Sequence, residues 1–218
     1  GLERTSLSEP GDSRCQVSGA VSVGEDGKLS GELTVRTSGL FVSEETLRTE
    51  DAQRRRVRDI VHHVLPAADV KNLQVQTLGG GEFFATVDVT SDKLDQLGER
   101  YKLMLAEQGP ASVDISLPLD TSVRKTPLHI PGAFDEVVEI AISWPADWTV
   151  EAQPMSVEKA NSPDVMFEQT AELGDHKLTL RRHLRATGSE ITPEGLRCLY
   201  SPLNTLRTLA GRTLILAP

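Results

Sequence analysis

Residues 15–41, CQVSGAVSVGEDGKLSGELTVRTSGLF, decide the fold class of this chain. Val17, Ala20, Val21 and Val23 precede EDGK, and Leu29, Leu33 and Val35 follow it. Apolar residues at mostly alternate positions are the pattern of strands with one buried face. Asp26-Gly27 between them is a hairpin signal, because Gly takes positive φ at little cost. The reading is two antiparallel strands at the start of a sheet.

Beyond this hairpin the period changes. In SEETLRTEDAQRRRVRDIVHHVLP, Leu47, Val57, Ile60, Val61 and Val64 fall on one helical face, and Pro66 ends the run. Ser43 or Thr49 is the expected cap, with Glu44, Glu45, Glu50 and Asp51 near the positive end of the helix dipole. Alternation then returns in VKNLQVQTL and EFFATVDVT around Gly79-Gly80-Gly81, a second hairpin. RYKLMLA and ASVDISLPL read as further strands. EVVEIAISW is another, and DVMFEQTAEL and KLTLRRHLRA form a third hairpin about Gly174-Asp175. Thr192, Pro193 and Glu194 form a helix start, followed by Leu196, Leu199, Leu203, Leu206 and Ala210 at helical spacing. Pro202 inside that run predicts a kink or break. RTLILA reads as a closing strand.

These segments predict a mainly β chain with helical insertions, β-sandwich-like and in two domains. Residues 1–13 are a polar linker. Residues 14–123 form a β-sheet domain with an inserted helix over 44–65. Residues 124–218 form an antiparallel β-sandwich-like domain with a C-terminal helix over 193–210. A length of 218 residues suits two domains of ordinary size.

Net charge is −9, and the acid excess is spread evenly. Residues 1–125 carry 15 Lys and Arg against 20 Asp and Glu, and residues 126–218 carry 8 against 12. Neither half offers the basic surface that phosphate backbones require, so no nucleic-acid partner is expected. No apolar run approaches the roughly 20 residues that span a bilayer, so no membrane insertion is expected of this chain. It starts at Gly1 rather than Met, without a signal-peptide pattern, and the expectation is a segment of a longer protein.

Aromatic residues make up only 4% of the chain, so the two tryptophans of EIAISWPADWTVEAQP weigh heavily. Trp144 ends an alternating strand, Pro145 stops the pairing, and Trp148 follows a short turn. Two indoles four residues apart could stack on a sugar or a base. The preferred reading is that they close the end of a sheet core, because the segment lacks the accompanying polar groups of a binding site.

A cysteine nucleophile needs a histidine within reach and a group to orient it. Cys15 stands before a strand and Cys198 on an apolar-leaning helix, neither with a local signature. His62 and His63 are adjacent and so lie about 100° apart on a helix, which does not serve one metal. His129, His176 and His183 are joined by no Cys or ligand-spaced His. Arg54-Arg55-Arg56-Val57-Arg58 is flanked by Glu50, Asp51 and Asp59, which predicts i, i+4 pairing on a solvated helix face. LGGGEF lacks the Lys-Ser/Thr and the helix of a phosphate loop. No catalytic, cofactor-binding or metal-binding residue is assigned.

Several stretches together resemble the C-terminal, non-catalytic β-rich region of bacterial transglutaminase-like proteins, of the transglutaminase/protease-like superfamily. They are DGKLSGELTVRTSGL, ETLR, VRKTPLHIPGAFDEVVEIAISWPADWTVEAQP, VMFEQTAELGDHKLTLRRHLR and ITPEGLRCLYSPLNTL. Arg124, Pro127, Pro145, Trp148 and Pro154 follow the family pattern, while Trp144 and Asp147 depart from its usual aliphatic and glycine. The resemblance implies a papain-like catalytic core upstream that carries the Cys-His-Asp triad, with this chain as an accessory, protein-interacting module and not an enzyme. Its partner is then that upstream core or another protein, without cofactor. Periplasmic or secreted localisation is implied by the resemblance alone. The rival readings are an independent cell-surface carbohydrate- or protein-binding β-sandwich and, more weakly, a cysteine hydrolase using Cys15 or Cys198.

Overall fold

The structure is a computed structural model, and it describes residues 12–78, 81–92, 94–107, 109–110 and 125–218. The chain begins with β1 (Arg14–Val23) and β2 (Leu29–Thr37), then α1 (Glu44–Arg48) and α2 (Glu50–His62). β3 (Asp69–Leu78), β4 (Glu82–Ser91), β5 (Asp95–Leu97) and β6 (Arg100–Met104) follow. The second half holds β7 (Leu128–His129), β8 (Phe134–Ser143), β9 (Thr149–Ala152), β10 (Val157–Asn161), β11 (Val165–Gly174), β12 (Lys177–Ala186) and β13 (Glu190–Ile191). It closes with α3 (Pro193–Arg207), α4 (Leu209–Arg212) and β14 (Thr213–Ala217).

The mainly β reading holds. Eight strands form one mixed sheet in the order β10-β11-β12-β8-β1-β2-β4-β3, and a second sheet runs β5-β6-β14-β9. All neighbours in the large sheet are antiparallel except β1 and β8, which run parallel from Arg14 opposite Asp135 to Ser22 opposite Ser143. A parallel pair needs a long crossover, and here more than a hundred residues supply it. The expected boundary at 123/124 lies outside the described residues, as does the expected strand ASVDISLPL. Strands from either side of that boundary share both sheets.

The period of two sets one face of the large sheet inward. Val17, Leu33, Val87, Ile140, Leu180 and Phe167 point that way from six neighbouring strands, and all are buried. They belong to one continuous core with Ile60 and Val61 of α2, Leu199 and Leu203 of α3, and Leu214 and Leu216 of β14. The opposite face is polar.

Both predicted caps are used, each by its own helix. Ser43 Oγ accepts from the Thr46 N–H and opens α1, and Thr49 Oγ1 accepts from Ala52 N–H and opens α2. The extended backbone of Thr49, φ −132° and ψ 137°, divides the one helix expected over 44–65. The C-terminal helix is also divided, but not at Pro202. α3 runs through Pro202, and the break falls at Thr208, whose side chain accepts from Gly211 N–H. Leu199, Leu203 and Leu206, buried on either side of Pro202, anchor the helix through the missing hydrogen bond. In the third hairpin Gly174 is still in the strand, and it is His176 that takes the positive φ of 50°.

Candidate functional site

Trp144 and Trp148 are 7% and 4% exposed, so their faces lie within the core. The backbone N–H of Trp144 donates to the His176 carbonyl, and the backbone N–H of Trp148 donates to the Pro145 carbonyl and closes the turn between the two tryptophans. Tyr101 of β6 stacks on Trp148 with ring centroids 4.8 Å apart and planes 4° from parallel. A face already covered by Tyr101 is not free for a sugar. A shallow cavity of about 290 Å3 touches both indoles, beside Leu173, Asp175 and His176.

On its inward face the large sheet carries a buried polar residue on each of three adjacent strands: Glu136 on β8, Arg182 on β12 and Gln169 on β11. Arg182 donates from Nε to Gln169 Oε1 at 3.0 Å and from Nη2 to the Ala106 carbonyl at 3.0 Å. Gln169 Nε2 donates to the Met155 carbonyl at 2.9 Å and to that of Gly211 at 3.4 Å. The backbone of Gly109 lies against the Glu136 carboxylate, so closely that a Cβ there would overlap it. Burial lowers the Arg182 pKa to about 10, and the nearby Glu136 charge works against that shift. Arg182 is therefore still a cation at neutral pH. These groups join the sheet to the segments after β6, before β10 and at α4.

On the polar face, charges pair across strands. His183 Nε2 lies 2.6 Å from Asp135 Oδ1, and its Nδ1 lies 3.9 Å from Glu168 Oε1. Arg36 pairs with Glu82, and Asn72 Nδ2 donates to Asp88 Oδ2 at 2.7 Å. On α2, Arg54 bonds Glu50 at i, i+4 as expected, whereas Arg55 bonds Glu45 of α1, outside that spacing.

The candidate nucleophiles lie apart. Cys15 is fully buried on β1, and Cys198 is half-buried on α3; neither is in a disulfide. Cys198 borders a groove of about 550 Å3 between α3 and β10, and no histidine lines that groove. His62 belongs to α2 and His63 caps it, His129 sits on β7 beside Glu190, and His176 is in a turn. Among the described residues no three His, Cys, Asp or Glu side chains are grouped to hold a metal ion. Among the described residues no helix is long and apolar enough to cross a membrane.

Sequence reading overlooked Arg182, Gln169 and Glu136, although their signal was present. In KLTLRRHLRA, Leu178, Leu180 and Leu184 set the inward parity, and Arg182 shares it. Glu136 stands likewise between Phe134 and Val138, and Gln169 between Phe167 and Ala171.

Residues 103–216 match the model of a family described as a Domain of Unknown Function with solved-structure structure (DUF3858). A crystal structure described as "a putative protease" from Parabacteroides distasonis is similar to 95% of this chain at 8% identity, with a TM-score of 0.31. This chain spans 40% of that one. No curated protein matches it.

Proposed function

The chain belongs to the DUF3858 family, and from that premise we infer that it acts as a non-catalytic accessory module in a transglutaminase-like protein whose catalytic core lies upstream. Its work is to contact that core or another protein. The observation that carries this reading is the use made of its polar side chains. The buried ones, Arg182, Gln169 and Glu136, brace two layers of the fold, and on the sheet surface His183 bonds Asp135 with Glu168 nearby. Neither arrangement aims a nucleophile and its base at a common point. Cys15 is closed to solvent and the groove beside Cys198 has no base, which weighs against the hydrolase reading.

A carbohydrate-binding β-sandwich is the second reading, and the shallow cavity beside both tryptophans is the observation on its side. The burial of both indoles and the stacking of Tyr101 on Trp148 weigh against it.

The test is an assay of the purified chain for amide hydrolysis and transamidation. The expected result is no turnover. Turnover lost in Cys15→Ala or Cys198→Ala would replace the module reading with the hydrolase.

A further inference from the structure

We propose that the outer edge of β10, unpaired among the described residues, is a strand-addition site for a partner segment that alternates apolar and acidic side chains. The inference rests on the interaction-module reading above and names the surface that performs it. Among the described residues β10 is the terminal strand of the eight-stranded sheet and pairs only with β11, with a register shift between Val157 and Ala160. An edge strand presents backbone N–H and C=O groups that another extended segment can pair with.

Cavities flank this edge. The groove of about 550 Å3 follows β10 from Met155 to Asn161, with Cys198, Ser201, Pro202 and Thr205 of α3 as its other wall. That wall is uncharged, and Met155 is 48% exposed beside it. A second cavity of about 250 Å3 lies over Lys159, Asn161, Met166 and Arg185. It is lined by two cations and no carboxylate. Among the described residues neither Lys159 nor Arg185 has an ion-pair partner, although the chain as a whole is acidic. Asp135 stands across from Arg185 in register, but its carboxylate is bonded to His183.

A strand sends successive side chains to opposite faces. A segment added to β10 therefore places every second residue toward α3 and the others toward Lys159 and Arg185. Small apolar residues suit the first position and carboxylates the second.

The same charges disfavour a second copy of this chain. Antiparallel strands related by a two-fold axis bring each axial residue opposite its own mate. Axes at Glu158 or Lys159, the centre of β10, oppose like charges, which destabilises a pair.

The experiment uses the full chain and capped six-residue peptides. One alternates Glu and Val, a second alternates Lys and Val, and a third is the Glu-Val peptide N-methylated at alternate amides. Affinity is read by calorimetry and location by amide exchange. The Glu-Val peptide is expected to bind and to slow exchange within 157–161. The Lys-Val peptide should bind about tenfold more weakly, the effect of two part-exposed ion pairs, and the N-methylated peptide should not bind. Lys159→Glu with Arg185→Glu should reverse the charge preference without altering the thermal midpoint by more than a surface change does. Equal binding of the Glu and Lys peptides, an unaltered preference in that variant, protection elsewhere, or no binding at all would overturn the β10 assignment and leave the module reading standing. Cleavage of the peptides would instead overturn the module reading.

Discussion

Arg182 and Gln169 stand directly opposite one another on β12 and β11, and the guanidinium Nε donates to the amide oxygen at 3.0 Å inside the core. The geometry leaves the amide nitrogen of Gln169 pointing at the carbonyls of Met155 and Gly211. One pair of side chains on the sheet thus meets backbone acceptors from three separate segments, counting Ala106. Hydrogen bonds to buried carbonyls demand fixed positions, whereas apolar packing alone tolerates sliding.

Removing the cation alone should be costly, since it leaves Glu136, the Gln169 amide oxygen and the Ala106 carbonyl buried without it. Arg182→Ala is expected to lose about 3–5 kcal/mol in urea unfolding. Arg182→Met combined with Glu136→Gln removes both charges and keeps volume, and should recover most of that loss. If the double variant is no more stable than Arg182→Ala, the charge balance is not what the core depends on.

Two glycines separate backbone strain from steric contact. Gly27, φ 73°, lies under the ring of Tyr101, where a Cβ would overlap it; Gly98, φ 66°, has open space around it. Gly98→Ala should cost only the dihedral strain, about 1–3 kcal/mol. Gly27→Ala should cost more, because the ring that stacks on Trp148 must also move. Thermal midpoints that fall equally in the two variants would show that the Tyr101 contact carries no weight.

Much of this was legible in the alternation of apolar residues. It located the three long hairpins β1–β2, β3–β4 and β11–β12, α2 and α3, and the core role of the tryptophans. It could not show that β1 lies parallel to β8, because a pairing between residues 14 and 135 leaves no local trace. The short strands β5, β7, β9 and β13 have too few residues to display a period. The position of the α3 break was misjudged because proline is a local signal, whereas the packing of Leu199, Leu203 and Leu206 is not. The β10 edge was hidden for a related reason. VEKAN reads as a polar loop, and only the sheet order makes it a boundary.

Both tryptophans should emit as shielded indoles. Acrylamide and iodide are expected to quench the native chain far less than the urea-unfolded chain. A panel of polysaccharides should leave the emission unshifted. A saturable shift lost in Trp144→Phe would establish the sugar-binding reading instead. Trp148→Ala should lose about 3–5 kcal/mol of stability, since it leaves a large void beneath Tyr101.

Asp164 links acidity to the seating of α3. Burial alone would raise its pKa, but hydrogen bonds from Ser162 and Thr192 outweigh that and hold it below the ordinary value. Ser162 Oγ donates at 2.5 Å, and the Thr192 N–H donates just ahead of the first helical residue. The unfolded chain thus binds the proton more tightly than the folded one, so stability rises with pH across this titration. The contribution is complete above the unfolded carboxyl value of about 3.9 and is lost as pH falls through the lower folded value. Asp164→Asn should therefore flatten the acid limb of the thermal midpoint against pH, with the greatest difference from the parent chain above pH ~4. Parallel acid limbs in the two proteins would exclude Asp164 as the titrating group. A smaller loss of α3 protection than of β14 protection on acidification would separate the helix end from the acid response.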